Sequence, residues 1–198
     1  RDLSRLKKSL QRVNYVIHAA ALKHVSVAEY NPFEAVKTNV IGTQNVVDAS
    51  LEMGVEKIIS LSTDKASSPV NLYGATKLTA DKLVVSGNYH KGNVKTKLSV
   101  VRYGNVFGSR GSVVPFFLEL YNKNYFMVTD QKMTRFSLTL EECLETIMWT
   151  MKNSYGAEIV IPKIFSYKIL DLCKSINEKA KIKYIGKRPG EKLHEEMI

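Results

Sequence analysis

Apolar residues along the chain form short runs that alternate with longer amphipathic stretches. The runs at residues 13–21, 57–63 and 98–106 predict three buried strands. Residues 32–54 carry apolar positions three, four or seven apart, which predicts a long amphipathic helix. A second helix is predicted over residues 73–89, behind an asparagine that can cap it. This β-α-β-α-β order predicts a parallel sheet with right-handed crossovers.

Beyond Gly108 the predicted elements become shorter and more mixed. They are a helix at 112–122, a strand at FMVT, a helix with an apolar stripe (Leu140, Cys143, Leu144, Ile147, Met148 and Met151), a strand at AEIVIP, a helix at 167–177 and a strand at KIKYIG. We therefore expect an α/β fold, with a Rossmann-like doubly wound parallel sheet in residues 1–110 and a smaller mixed α/β lobe in residues 111–198.

Composition narrows the class of protein. The chain has 198 residues, of which 44% are hydrophobic, enough for a packed core. No apolar run reaches the about 18 residues needed to span a bilayer, so we expect no membrane association. Cys143 and Cys173 both lie in helical patterns, which argues against a disulfide framework and against a metal site and favours a cytoplasmic protein.

The net charge of +10 leaves several partners open. Nucleic acid, a membrane surface and an anionic small molecule are all compatible with it. The lysines are scattered along the chain, and no basic-aromatic motif typical of a nucleic-acid module is present, so we expect no nucleic acid partner.

One stretch, STDKASSPVNLYGATK (residues 62–77), carries most of the candidate chemistry. Tyr73 and Lys77 are four residues apart and share a helix face, where a nearby ammonium would lower the pKa of the phenol. Because the chain has ten tyrosines and abundant lysines, this spacing is expected by chance. Only the position of the pair in the predicted fold can therefore indicate a catalytic role. Ligands bind beyond the carboxyl ends of parallel strands, and residues 63–65, 19–23 and 104–106 all lie at such ends.

Longer motifs resemble those of the extended short-chain dehydrogenase/reductases. These are NVIGTQNVVDAS (residues 39–50), LSTDKASSPVNLYGATK (61–77) and VVRYGNVFGSRGSVVPFF (100–117). More narrowly, AAALKHVSVAEYNPFEAVKTN, STDK, MTRFSLT and RPGEKLHE resemble the inverting UDP-N-acetylglucosamine 4,6-dehydratases, which begin pseudaminic acid synthesis in bacteria. Retaining dehydratases and some epimerases usually carry Met where this chain has Tyr73, so Tyr73 favours the inverting branch.

The resemblance implies catalytic roles for five residues. Tyr73 would take the C4 hydroxyl proton, with Lys77 holding the phenolate and the nicotinamide ribose, while Thr63 bonds O4. Lys65 would remove the C5 proton, and a protonated Asp64 would donate to the departing C6 oxygen. The net reaction would be elimination of water.

Binding roles follow from the same resemblance, with NADP as the expected cofactor and NAD as the alternative. The cofactor-binding residues would be Ala19, Ala20, Tyr73, Lys77 and Val106. The UDP-sugar would contact Lys23, Leu61, Ser62, Asn105, Arg110, Arg135, Arg188 and Glu191, where guanidinium groups suit a diphosphate. Asn39 would support the active-site lysine through water, or serve only in capping or packing.

One departure concerns the cofactor fingerprint. None of the eleven glycines forms G-x-G-x-x-G after a first strand. We therefore expect this chain to be a fragment of a longer enzyme, without the N-terminal part of the sheet and inactive alone. The resemblance also implies that the complete enzyme is a homo-oligomer. A retaining dehydratase or an epimerase of the same superfamily is the alternative function, and an inactive nucleotide- or RNA-binding module is a more distant one.

Overall fold

The computed structural model describes residues 1–187 and 189–198. The strands in chain order are β1 (Tyr15–His18), β2 (Lys57–Thr63), β3 (Lys97–Tyr103), β4 (Asn105–Val106), β5 (Tyr125–Val128), β6 (Thr134–Leu138), β7 (Ile159–Val160), β8 (Ser166–Lys168) and β9 (Lys181–Tyr184). The helices are α1 (Leu3–Ser9), α2 (Val25–Tyr30), α3 (Pro32–Val36), α4 (Gly42–Glu52), α5 (Leu72–His90), α6 (Val113–Leu120), α7 (Leu140–Asn153) and α8 (Ile169–Ile176).

The large sheet is parallel and has the spatial order β1-β2-β3-β7. Successive side chains of a strand point to opposite faces, and β2 shows this directly. Ile58 belongs to a core cluster that includes Val47 of α4 and Val84 of α5. Ile59 belongs to a second cluster with Ile147 of α7. Helices therefore cover both faces, which confirms the predicted doubly wound α/β fold.

The helix predicted over residues 32–54 has an irregular middle. α3 and α4 are joined by a π-helical segment, Lys37–Ile41, rather than by continuous α-helix. Phe33, which the predicted apolar stripe included, is exposed. A π-helical turn shifts the side chains that follow it around the helix axis, and such turns are frequent at functional sites.

The strand predicted over residues 98–106 is wrong at its end. β3 stops at Tyr103, and β4 pairs with β6 in a different sheet. Gly104 lies at the break, where an added Cβ would lie 2.7 Å from the Phe136 carbonyl oxygen. The chain can change sheets there because glycine permits this close approach to a neighbouring strand.

Two smaller sheets accompany the large one, β4-β6-β8 and β5-β9. A separate core cluster is built around Phe117, Phe126 and Cys173. The chain returns to the large sheet between these parts, because α7 packs on β2 and β3 and β7 extends the large sheet.

The apolar stripe predicted on α7 is only half right. Cys143 and Ile147 are buried against the large sheet, whereas Leu140, Leu144 and Met148 are exposed. The apolar spacing of three and four residues therefore located the helix correctly, but it assigned a buried face and the adjacent exposed face to one stripe.

Cys143 and Cys173 are both buried free thiols. In the described part of the chain, no helix has the length and apolar character required to cross a membrane.

Candidate active site

The end of β2 turns directly into a short 3₁₀ helix, Asp64–Ala66. The Thr63 hydroxyl donates to Asp64 Oδ1 at 2.9 Å, and Lys65 Nζ donates to the same oxygen at 3.0 Å. The Asp64 side chain is 0% exposed, whereas the Lys65 side chain is 23% exposed. The turn therefore presents an ammonium group to solvent with a buried carboxylate behind it.

The first turns of α5 hold the other two candidate catalytic side chains. Asn71 caps the helix by accepting a hydrogen bond from Gly74 N at 2.8 Å, as predicted. Tyr73 and Lys77 follow on the same face, and both are buried. Lys77 Nζ donates to the Leu61 carbonyl oxygen at 2.7 Å, which ties α5 to the end of β2.

The predicted direction of the Tyr73 pKa shift is wrong for this arrangement. Burial raises the pKa of Tyr73 to about 12. A hydrogen bond with Thr63 lowers this pKa, whereas the charges of Asp64 and Asp81 raise it further. Burial also lowers the pKa of Lys77, while Asp81 opposes that shift. The desolvation of a buried phenolate outweighs the hydrogen bond that favours it, so Tyr73 is protonated at neutral pH.

A cavity of about 380 Å³ opens where β1, β2 and β3 end. It is lined by most of the predicted site residues: Ala19, Lys23, Leu61, Ser62, Thr63, Lys65, Tyr73, Lys77, Asn105 and Val106. Strand ends far apart in sequence thus meet at one crevice, as expected for a parallel α/β sheet.

Some predicted residues take other positions. Ala20 is exposed and does not line the cavity, whereas Ala19 and Ala21 on either side of it do. Ser62 lines the cavity, but its hydroxyl already donates to Asp81 Oδ2 at 2.7 Å within the protein. Asp64 lies behind Lys65 rather than in the cavity lining.

The residues predicted to hold the diphosphate are only partly brought together. Arg135 is buried and pairs with Glu191 at 3.4 Å, while also donating to the Leu193 carbonyl oxygen at 3.2 Å. Arg110 is exposed, between two residues that line the cavity. Arg188 lies outside the described residues.

Asn39 acts as a clamp between two segments. Its Oδ1 accepts from Leu22 N at 2.8 Å, and its Nδ2 donates to Leu22 O and to Thr76 Oγ1, both at 3.0 Å. The loop after β1 is thereby fixed to the residue that precedes Lys77. The π-helical segment that contains Asn39 directs its side chain inward.

Sequence reasoning missed a buried ionic network below the cavity. Arg102 donates to Asp81 Oδ2 at 3.0 Å, and Ser62 donates to the same oxygen. A signal was present, because Arg102 follows the apolar pair Val100 and Val101 in a strand predicted to be buried, and Asp81 lies four residues after Lys77 on α5. Glu195, 3.6 Å from Lys65 Nζ, was also missed.

The cavity suits the nicotinamide end of a dinucleotide. Ala19 and Ala21 leave room at one wall, while the phenol of Tyr73 and the ammonium of Lys77 supply hydrogen-bonding groups at another. Ser112 contributes a buried hydroxyl oxygen without a hydrogen-bond partner in the protein. No cluster of three His, Cys, Asp or Glu side chains suited to a metal ion occurs among the described residues.

Comparison with known proteins places the chain in a family. A family model described as "Polysaccharide biosynthesis protein" matches residues 1–198. The chain belongs to this family of polysaccharide biosynthesis proteins.

Individual relatives narrow the comparison. An inverting UDP-N-acetylglucosamine 4,6-dehydratase of Campylobacter jejuni is 54% identical over 200 residues, covering 100% of this chain and 60% of the relative. A UDP-glucose 4-epimerase of Rickettsia rickettsii is 37% identical over 203 residues, with the same coverage. The X-ray structure of Pen from Bacillus thuringiensis superposes with a TM-score of 0.93 at 43% identity, covering 100% of this chain and 64% of that one. The chain thus spans about 60% of the length of the curated relatives it matches.

Proposed function

We propose that the protein is an inverting UDP-N-acetylglucosamine 4,6-dehydratase. The observation that carries this proposal is the turn at the end of β2, where Lys65 lines the same cavity as Tyr73 and Lys77 and Asp64 lies directly behind Lys65. Asp64 and Lys65 suit the acid–base catalysis of an elimination, and Tyr73 and Lys77 suit the oxidation and reduction of a hydroxyl group. Greater identity to the inverting dehydratase than to the epimerase supports the same choice.

The reaction begins at C4 of the sugar. A nicotinamide cofactor, NADP or alternatively NAD, would supply hydride acceptance from C4 and hydride return to C6. Ala19, Tyr73, Lys77 and Val106 are the residues that would hold it. The Tyr73 phenolate would accept the C4 hydroxyl proton, and Thr63 would hydrogen-bond the C4 oxygen.

The base role of Tyr73 requires help from its neighbours. With a pKa raised to about 12 the phenol keeps its proton at neutral pH, so the phenolate has to be stabilised when substrate binds. Lys77 is the nearby cation that can do this by leaving the Leu61 carbonyl oxygen for the phenol.

Elimination follows once C4 is a ketone, because the carbanion at C5 is then delocalised as an enolate. The Lys65 amine would take the C5 proton. Asp64, whose Oδ2 has no hydrogen-bond partner in the protein, would donate to the departing C6 oxygen when it is protonated and its side chain turns toward the cavity. Proton return to the opposite face of C5 would give inversion.

Substrate binding would use the basic residues around the crevice. Lys23 lines the cavity, and Arg110 lies beside it, so both are placed to meet a diphosphate. Arg135 and Glu191, paired with each other here, would contact the uridine diphosphate after small side-chain movements. In the two predicted domains, residues 1–110 would contain the catalytic residues, and residues 111–198 would mainly bind the nucleotide-sugar.

The assay that tests this proposal is product analysis with protein expressed from its complete gene. Incubation with UDP-N-acetylglucosamine and NADP should give a product lighter by one water, with the L-arabino configuration. A product of unchanged mass would identify an epimerase, and the D-xylo configuration would identify a retaining dehydratase. Cytoplasmic localisation and a homo-oligomeric state are further parts of the proposal, tested by cell fractionation and light scattering.

A further inference from the structure

Lys65 contacts two carboxylates, and only one of them belongs to the STDK motif. Its Nζ lies 3.0 Å from Asp64 Oδ1 and 3.6 Å from Glu195 Oε1. The Glu195 side chain is 4% exposed, so this pair is largely shielded from water on the glutamate side. Shielding makes a charge pair stronger than a surface ion pair of the same length.

The backbone on both sides of Glu195 is held in place. The Leu193 carbonyl oxygen accepts from Thr134 N at 3.1 Å, and the Met197 carbonyl oxygen accepts from Arg102 at 3.0 Å. Further upstream, Lys192 Nζ donates to the Ser67 carbonyl oxygen at 2.8 Å. The carboxylate therefore reaches Lys65 from a fixed segment rather than from a loose end.

Glu195 is also incompletely satisfied. Its Oε2 is buried without a hydrogen-bond partner in the protein, as is Oδ2 of Asp64. A buried carboxylate oxygen without a partner is destabilising, so packing alone gives no reason to keep a glutamate there. Unsatisfied buried polar groups in a native fold are often explained by function.

We propose that Glu195 is a positioning residue for Lys65, holding its nitrogen in the cavity and stabilising the ammonium that forms when Lys65 accepts the substrate proton. In this step the C5–H bond breaks, its electron pair enters the enolate, and the proton forms a new N–H bond on Lys65. The inference rests on the proposed dehydratase function. Asp64 and Glu195 contact Lys65 from outside the cavity lining, and the charged or titratable groups that line the cavity with Lys65 are Lys23, Tyr73, Lys77 and Tyr103.

Removing the Glu195 charge has two expected consequences. The Lys65 ammonium loses a partner and releases its proton more readily, so more free amine is present at a given pH. The amine is then also a weaker base, so proton removal from C5 is slower once all of it is deprotonated. Glu195→Gln should therefore move the pH profile of kcat to lower pH and reduce its plateau, with KM for the UDP-sugar little changed.

The test compares Glu195→Gln with Glu196→Gln, which removes the same charge at the exposed neighbouring position. Besides kcat and KM measured over a series of pH values, trace labelling of Lys65 by acetic anhydride reports its free amine without requiring turnover. Labelling of Lys65 in Glu195→Gln should be about threefold to tenfold faster than in wild type at neutral pH. Glu196→Gln should match wild type in both readouts.

The outcomes are distinguishable from failure of the proposed function. An active wild-type enzyme with unchanged labelling and pH profile in Glu195→Gln would overturn the role of Glu195. Altered labelling in a protein that does not dehydrate UDP-N-acetylglucosamine would keep the contact and overturn the dehydratase. Should Glu195→Gln fail to fold, Glu195→Asp is the second variant, because its shorter side chain holds the carboxylate farther from Lys65. Labelling of Lys65 in Glu195→Asp should increase, but by less than in Glu195→Gln. Labelling at the wild-type rate in Glu195→Asp would also count against the inference.

Discussion

Gly74 packs directly against the carbonyl oxygen of Lys65. A Cβ added at Gly74 would overlap this oxygen and would also lie 3.0 Å from the Pro69 side chain. The first turn of α5 can therefore approach the Asp64–Ala66 turn only because residue 74 has no side chain. The relationship sets the position of Lys65 relative to Tyr73.

Gly74→Ala should accordingly disable the site. The backbone of the turn must shift, at a cost of about 1–3 kcal/mol typical of overpacking, and Lys65 moves with it. We expect a lower melting temperature and a large loss of kcat. The matched control is Gly42→Ala in α4, where the added Cβ would meet only ordinary contacts, the nearest at 3.4 Å. Equal losses in both variants would show that the Gly74 contact has no special role.

Lys65→Ala should separate binding from chemistry. Because UDP and cofactor contacts are assigned to other residues, calorimetric UDP binding should stay near the wild-type value while dehydration is abolished. Lys82→Ala, at an exposed position of α5, provides the control and should leave turnover unchanged. Full turnover in Lys65→Ala would remove Lys65 from the catalytic set.

Removal of one partner from the ion pair between Asp81 and Arg102 should strongly destabilise the protein. Both side chains are nearly inaccessible, at 0% and 7% exposed. Asp81→Asn would leave the Arg102 guanidinium without its carboxylate, at a cost of about 3–5 kcal/mol in urea unfolding. The double variant Asp81→Asn/Arg102→Met should recover part of this loss. Additive losses in the double variant would contradict the coupling.

His18 should make the protein less stable in mild acid. Burial, followed by the charge of Lys77, lowers the pKa of His18 from 6.5 to about 4, and its Nε2 lies 3.0 Å from Thr43 Oγ1. Below pH 6.5 His18 is protonated in the unfolded chain but remains neutral in the folded protein. The free energy of unfolding therefore falls between about pH 6.5 and pH 4, by up to about 3 kcal/mol.

The measurement for His18 is thermal unfolding as a function of pH. His18→Gln has no titrating group at this position, so its loss of stability between pH 6.5 and pH 4 should be smaller than that of the wild type. Parallel curves for the two proteins would show that His18 does not titrate as its burial predicts.

Local patterns were sufficient to predict β1, β2 and β3 of the large sheet, the Asn71 cap and the meeting of three strand ends at one crevice, but the strand that became β7 was assigned to the smaller lobe. They failed where tertiary contacts decide. The break at Gly104 depends on the neighbouring Phe136, and the high pKa of Tyr73 depends on burial that no spacing reveals. Glu195 could not be predicted as a partner of Lys65, because only folding brings these distant segments together.

The most direct test of the central claim is the dehydration of UDP-N-acetylglucosamine in D₂O, followed by proton NMR. If Lys65 and its neighbours exchange the C5 proton with solvent and return it to the opposite face, the 4-keto-6-deoxy product carries deuterium at C5 and has the L-arabino configuration. A product that keeps the original C5 proton, or that has the D-xylo configuration, would contradict the account.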